Sequence, residues 1–304
     1  MITRRAFSKL ALASLTFPGA AAAAGKADAR INGVRVGVQT YSFRGIPRQA
    51  GADAVDDIIR AMTDCGLADC ELWAPQIEPA QPGRGRPPAD VQKARDDLRT
   101  WRLQTPLAHF EQIRKKFDAA GQSIYAYNYS PNATFTDAEI DRGFEMARAL
   151  GAEIITSSTT IDVAKRMAPF AERHKMIVAM HGHSQVDRPG EFASPESFAE
   201  GMRLSRYFKV NLDIGHFTAA NFDAMQYLRQ HHESITNLHL KDRKVNQGDN
   251  VPWGTGSTPI RDVLQLLKRE RWPIRAFIEY EHNGSGTPVE EVRKCFAFVK
   301  ESLA

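Results

Sequence analysis

The sequence predicts an α/β protein in which a single (β/α)₈ TIM barrel spans residues 30–304. Three observations lead there. From Val34 onward, short apolar runs alternate with longer amphipathic stretches; eight such runs can be counted; and polar residues gather at the C-terminal ends of the later runs. About 250 residues is typical of such a barrel, and a chain of 304 has room for one.

The strands are read, in order, at Val34–Tyr41, Asp69–Trp73, Ser123–Tyr127, Ile154–Ser157, Met176–His181, Lys209–Asp213, Thr236–Leu240 and Ala276–Tyr280. After the first comes a helical pattern, Ala54–Cys65, stopped by Gly66. Pro75 to Pro88, rich in Pro, Gly and Arg, reads as a loop rather than a domain linker, because the alternation resumes beyond it. Two helical patterns then stand between the second and third strands, Ala89–Leu103 and Pro106–Ala120. Asp137–Leu150 ends at Gly151, and Thr258–Glu270 ends before Trp272-Pro273. No GxGxxG or P-loop pattern follows a strand, which argues against a nucleotide-binding open sheet.

Composition narrows the class further. Hydrophobic residues at 42% and charged residues at 25% are those of a packed globular protein. Cys65, Cys70 and Cys295 are odd in number and lack metal-site spacing, so they are expected to be buried as small apolar residues. The first residues, Met1 to Lys9 with Arg4-Arg5, followed by the apolar run Leu10 to Phe17 and small residues from Gly19 to Gly25, have the order of a secretory signal. The arginine pair resembles a twin-arginine signal, so residues 1–24 are expected to be removed and the mature protein to be periplasmic, without a membrane anchor. Removing Arg4, Arg5 and Lys9 from 40 basic residues leaves 37 against 36 acidic ones. A net charge near +1 gives no general attraction to nucleic acid, so none is expected as a partner.

In a barrel of this kind, chemistry is carried where the strands end and eight loops converge. The fifth strand ends in Met180-His181-Gly182-His183, the sixth in Leu212-Asp213-Ile214-Gly215-His216, the seventh in Leu238-His239-Leu240-Lys241-Asp242, the eighth in Ile278-Glu279-Tyr280-Glu281-His282. A lone histidine or aspartate at a strand end is ordinary, and such an aspartate is often a helix cap. One imidazole or carboxylate on each of four consecutive strands is not. His181, Asp213, His239 and Glu279 together suit one divalent ion, Mn²⁺, Co²⁺ or Zn²⁺.

From Val38-Gln39-Thr40-Tyr41-Ser42-Phe43 to Phe277-Ile278-Glu279-Tyr280-Glu281 the chain resembles the xylose-isomerase-like TIM barrels, which include sugar isomerases, ketose 3-epimerases, inosose dehydratase and endonuclease IV. Asp213-Ile214-Gly215-His216, His239-Leu240-Lys241-Asp242, Pro252-Trp253-Gly254-Thr255-Gly256 and Ile278-Glu279 carry the resemblance. It implies Asp213, His239 and Glu279 as metal ligands and Glu279 as a ligand that doubles as base. His181 stands where the epimerases have a glutamate, which keeps a ligand but removes a carboxylate. Glu71, ending the second strand, matches an acidic family position and is expected to transfer protons, as is His183. His216, Lys241 and Glu281 are expected to face a carbohydrate substrate. Tyr41 and His109 are not assigned.

Such a site suits removal of a proton from carbon next to a carbonyl. The reading is therefore a metal-dependent isomerase or epimerase of an unphosphorylated sugar or keto-sugar. A lyase or hydratase eliminating across a 3-keto-glycoside and a non-catalytic sugar-binding barrel are the alternatives. A nuclease would need a basic face and is disfavoured by the charge. Whether copies of the chain associate is left open.

Overall fold

Strands buried on both faces form parallel sheets, and here eight close on themselves. The computed structural model describes residues 29–48, 53–80 and 87–304; the expected export signal at 1–24 lies outside them. A short strand β1 (Arg30–Ile31) pairs antiparallel with β2 (Val34–Gln39) across Asn32-Gly33, both at positive φ. β3 (Asp69–Trp73), β4 (Ser123–Asn128), β5 (Ile154–Ser157), β6 (Ile177–His181), β7 (Phe208–Asp213), β8 (Ile235–Leu240) and β9 (Arg275–Ile278) follow, each parallel to the one before. The pairing of β2 with β9 closes the barrel.

The connecting helices are α1 (Val55–Cys65), α2 (Pro88–Gln104), α3 (Leu107–Ala119), α4 (Asp137–Ala149), α5 (Ile161–His174), α6 (Pro195–Met202), α7 (Ile214–Ala219), α8 (Ala224–His231), α9 (Ile260–Glu270) and α10 (Pro288–Leu303). The doubled helix between the second and third barrel strands is present as α2 and α3. In α9, Ile260, Val263, Leu264 and Leu267 recur at helical spacing and are buried. Full burial of such a side chain contributes about 1.5–3 kcal/mol, which is what fixes this face against the sheet. No helix among the described residues is long and apolar enough to cross a membrane. All three cysteines are buried, as expected.

Inside the barrel Tyr125, Ala126, Ile154, Ala179 and Phe277 form an apolar cluster separate from the core between sheet and helices. Gly37 makes room for it: a Cβ there would lie 2.4 Å from the Phe277 ring. At the base, the Arg275 guanidinium covers the Tyr125 ring and pairs with Asp69 and Glu153. The apolar cluster plugs the lower barrel, so polar groups can converge only above it.

Four strands begin or end one residue away from the sequence expectation, the last barrel strand also begins one residue early, and two strands stop two residues short of it. The first barrel strand stops at Gln39, whose side chain accepts from Tyr41 N at 2.9 Å and starts the 3₁₀ turn Thr40–Phe43. The last stops at Ile278, although Glu279 N still donates to Leu240 O at 3.0 Å.

Candidate metal centre

Register brings the four expected ligands to one height. His181 and Asp213 are the last residues of β6 and β7, Asp213 is level with His239, and Glu279 follows the end of β9. All four are buried, and one ligand atom from each lies within 4.8 Å of the others. His239 Nδ1 is 3.1 Å from Glu279 Oε2 and 3.9 Å from Asp213 Oδ2, and His181 Nε2 is 3.5 Å from the same Oδ2.

The chemistry of the donors fits a metal ion. His181 Nε2, Asp213 Oδ2, His239 Nδ1 and Glu279 Oε2 are each buried and face one another, and the contacts they make are ion pairs within the cluster, with Lys241 Nζ against the two carboxylate oxygens. Imidazole nitrogens and carboxylate oxygens brought this close together without a donor for each lone pair make an electron-rich cluster that a cation stabilises. Two imidazole nitrogens and two carboxylate oxygens make a set that Zn²⁺, Mn²⁺ or Co²⁺ would satisfy.

Each ligand is aimed by its neighbours. His181 Nδ1 is 3.0 Å from Ser158 Oγ, which leaves Nε2 for the centre. His239 is turned the other way: Nε2 is 2.9 Å from Glu71 Oε2, leaving Nδ1. Asp213 divides its oxygens. Oδ1 accepts from His216 N at 2.7 Å and caps α7, while Oδ2 faces the centre. The cap reading and the ligand reading of this aspartate thus describe different atoms of one carboxylate. Gly215, inside that first turn, lets β8 pass close by, since a Cβ there would meet Lys241 O at 2.7 Å.

Charge is concentrated. Lys241 Nζ lies 2.9 Å from Asp213 Oδ2, 2.8 Å from Glu279 Oε2 and 2.5 Å from Glu281 Oε2. Burial would favour the neutral amine, but these carboxylates more than reverse that and raise the Lys241 pKa. Burial would raise the Asp213 and Glu279 carboxyls, yet neighbouring cationic side chains hold both well below the usual range. Burial lowers the pKa of His181 and His216. For His239 burial acts the same way and is outweighed by Glu71 and Glu279, which raise it.

The centre lies at the bottom of a cavity of about 250 Å³. His183, His216, Lys241 and Glu281 line it, as do Tyr41 and Trp73, packed edge to face with centroids 4.8 Å apart. His183 is partly exposed, and its Nδ1 is 2.7 Å from Glu191 Oε1. His216 Nδ1 is 2.7 Å from Arg243 Nη1 and Nε2 is 3.0 Å from Lys241 Nζ. His109 lies away, against Trp101 and Phe110.

Glu71 does not stand where a proton-transfer group would. Its side chain is fully buried beneath the centre, does not line the cavity, and accepts hydrogen bonds on both oxygens. A general base needs a lone pair within reach of the substrate, and Glu71 has none turned that way. The sequence reading also missed the polar layer around it, Gln39, Asn128, Thr156, Asn211 and Asn237. A signal existed: Asn211 and Asn237 stand two residues before Asp213 and His239, hence on the same strand face. The Asp242 carboxylate accepts from Gly254 N, Gly256 N and Thr258 N at 2.8, 3.0 and 3.2 Å and holds the Pro252–Thr258 loop.

Comparison with known proteins agrees with this architecture. The family model for the xylose isomerase-like TIM barrel matches residues 84–301. L-ribulose-5-phosphate 3-epimerase UlaE of Escherichia coli O1:K1 is 24% identical over 172 residues, 54% of this chain and 60% of that enzyme. The chain spans 34% to 60% of the length of the first curated relatives it matches. Among solved structures, the probable 3-DHS dehydratase AsbF of Bacillus anthracis superposes with TM-score 0.59 at 14% identity, over 86% of this chain and 98% of that one. The IOLI protein, solved with a zinc atom, gives 0.62 at 12% identity, over 88% and 97%.

Proposed function

We propose that this chain, which belongs to the xylose isomerase-like TIM barrel family, is a metal-dependent isomerase or epimerase of an unphosphorylated sugar or keto-sugar. The observation that carries the reading is the convergence of four buried ligand atoms from four strand ends, three of whose residues, His181, His239 and Glu279, line a cavity. A divalent ion bound there would polarise a substrate carbonyl and make the adjacent C–H more acidic.

The chain's own residues supply the rest. Glu279 turns Oε2 to the centre, and Oε1 accepts no hydrogen bond from the described residues, so it is the oxygen available to take a proton. His183, held at Nδ1 by Glu191, presents its other nitrogen to the cavity and returns or delivers a proton. Glu281 lines the cavity and can accept hydrogen bonds from substrate hydroxyls, His216 and Lys241 line it with their nitrogens already engaged and hold its shape, and Tyr41 and Trp73 wall one side against water. Lys241 is the one lysine or arginine among the described lining residues, and it already sits among three carboxylates. Nothing there offers a phosphate a cation, which supports an unphosphorylated substrate. The export signal expected at residues 1–24 supports it as well, and with it a periplasmic location.

His181 favours one further reading. With an imidazole in place of the epimerases' second carboxylate, the centre retains one base and a histidine that can protonate a leaving group. That arrangement suits β-elimination across a 3-keto-glycoside. Turnover in deuterated water tests both readings. An isomer of unchanged skeleton carrying deuterium next to the carbonyl supports the first; an unsaturated sugar with a released aglycone supports the second. Product formed by intact migration of the substrate hydrogen refutes the proton-transfer mechanism. Glu279→Gln should lower turnover by at least about 10²–10⁴-fold, the usual cost of losing general acid–base catalysis.

A further inference from the structure

Below the four candidate ligands, five amide and hydroxyl donors and one imidazole nitrogen, from five strands, converge on one carboxylate. Glu71 Oε1 accepts from Gln39 Nε2 on β2 at 2.6 Å, Asn128 Nδ2 on β4 at 3.1 Å and Thr156 Oγ1 on β5 at 2.7 Å. Oε2 accepts from Asn237 Nδ2 on β8 at 3.0 Å and from Asn211 Nδ2 on β7 at 3.4 Å, and His239 Nε2 on β8 lies 2.9 Å from it and 3.0 Å from the same Asn211 Nδ2. A carboxylate offers about four lone-pair directions, so every one is engaged. The side chain is fully buried. Five of the neighbours are amide or hydroxyl donors, so a group that accepts on both oxygens fits among them.

We infer that Glu71 is the positioning residue of the metal centre: it holds the His239 ring with hydrogen on Nε2, so that the Nδ1 lone pair faces the ion. The inference rests on the metal-dependent reading of the site. A histidine ligand whose other nitrogen donates to a carboxylate has its tautomer and ring direction fixed and is a stronger donor to the metal. His239 has that arrangement, whereas His181 has only Ser158 behind it. The surrounding amides and hydroxyl hold the carboxylate in turn, so the position of His239 is set by strands on opposite sides of the barrel. A glutamine at position 71 keeps the shape but turns an N–H toward donors, leaving one oxygen for two groups of claimants.

The test uses the full chain, stripped of metal and titrated with Zn²⁺ against a chromophoric chelator, then with Co²⁺ to record its ligand-field absorption. Glu71→Gln should bind Zn²⁺ about 10–100-fold more weakly, the typical loss for a partner of this kind, and shift the Co²⁺ bands. A purely structural role would leave those bands in place. Zn²⁺ affinity within threefold of wild type, with an unchanged Co²⁺ spectrum, overturns the inference. Should the variant not fold, ¹⁵N-histidine spectra of the wild-type zinc form decide: a hydrogen on Nε2 of His239 supports the assignment, and a hydrogen on Nδ1 overturns it. A wild-type chain that takes up no Zn²⁺ would defeat the metal reading and this inference together, whereas normal wild-type uptake with an indifferent variant defeats this inference alone.

Discussion

Replacing Asp213 by Asn and by Ala separates two functions that one side chain performs. Oδ1 lies 2.7 Å from His216 N and caps α7, and Oδ2 faces the centre. Asparagine is about as good a cap as aspartate, and its amide oxygen can take the Oδ1 position. Alanine removes the cap, at a cost of about 0.5–2 kcal/mol. At roughly 2–4 °C per kcal/mol for a chain of 150–250 residues, and somewhat less for a longer one, that lowers Tm by about 1–6 °C. Neither variant strands a cation, because Lys241 keeps Glu279 and Glu281. Both lose the Oδ2 anion and should lose metal by more than the roughly 10–100-fold typical of an outer partner. The assay is paired: calorimetry of the chelator-treated proteins, and metal content after dialysis against Zn²⁺. Asn should show low metal and near-wild-type Tm, Ala low metal and lower Tm. Full metal in Asp213→Asn removes Asp213 from the ligand set, and equal Tm losses in the two variants refute the cap argument.

Three other outcomes are expected. His183→Gln should keep its metal and lose turnover, and Glu191→Gln should fall between it and wild type; a His183→Gln enzyme of normal rate would exclude that histidine from proton transfer. Arg102, buried and paired with Glu78 at 2.7 Å and Glu139 at 3.2 Å, holds the start of the loop after β3. Arg102→Met should cost about 3–5 kcal/mol by leaving buried carboxylates without that partner, read as a Tm fall of several degrees, and a fall under 1 °C would contradict it. Changing Arg4 and Arg5 to Lys should hold the chain in the cytoplasm on cell fractionation, and unimpaired export would refute the twin-arginine reading.

The barrel was legible because parallel strands buried on both faces leave continuous apolar runs, and helix stops such as Gly66 and Gly151 punctuate them. The candidate metal-site residues stood out because imidazoles and carboxylates recur at matching positions at the ends of four consecutive strands. What escaped was of two kinds. The β1–β2 hairpin carries a local signal, Asn32-Gly33, that stands outside the alternation of parallel strands and helices. Glu71 was a different failure. A glutamate at a strand end has the same letters whether it tips into the cavity or sits beneath it, and only the closing of the barrel puts Gln39, Asn128, Thr156, Asn211 and Asn237 around it. Contacts spanning 32 to 166 residues leave no local trace in the sequence.

The divided carboxylate of Asp213 also couples an equilibrium that a crystallographer would assign to the ion with one that belongs to a segment. Fraying of the first turn of α7 releases His216 N and frees Oδ1, and the carboxylate can then rotate away from the centre. Any ion held at Oδ2 opposes that opening by mass action, so local unfolding of this six-residue helix becomes rarer as the ion's free concentration rises. With an ion held at Oδ2, the backbone amide of His216 would report its occupancy. Its hydrogen exchange would slow with each increment of bound metal, while amides in α9, remote from the centre, would keep their rates.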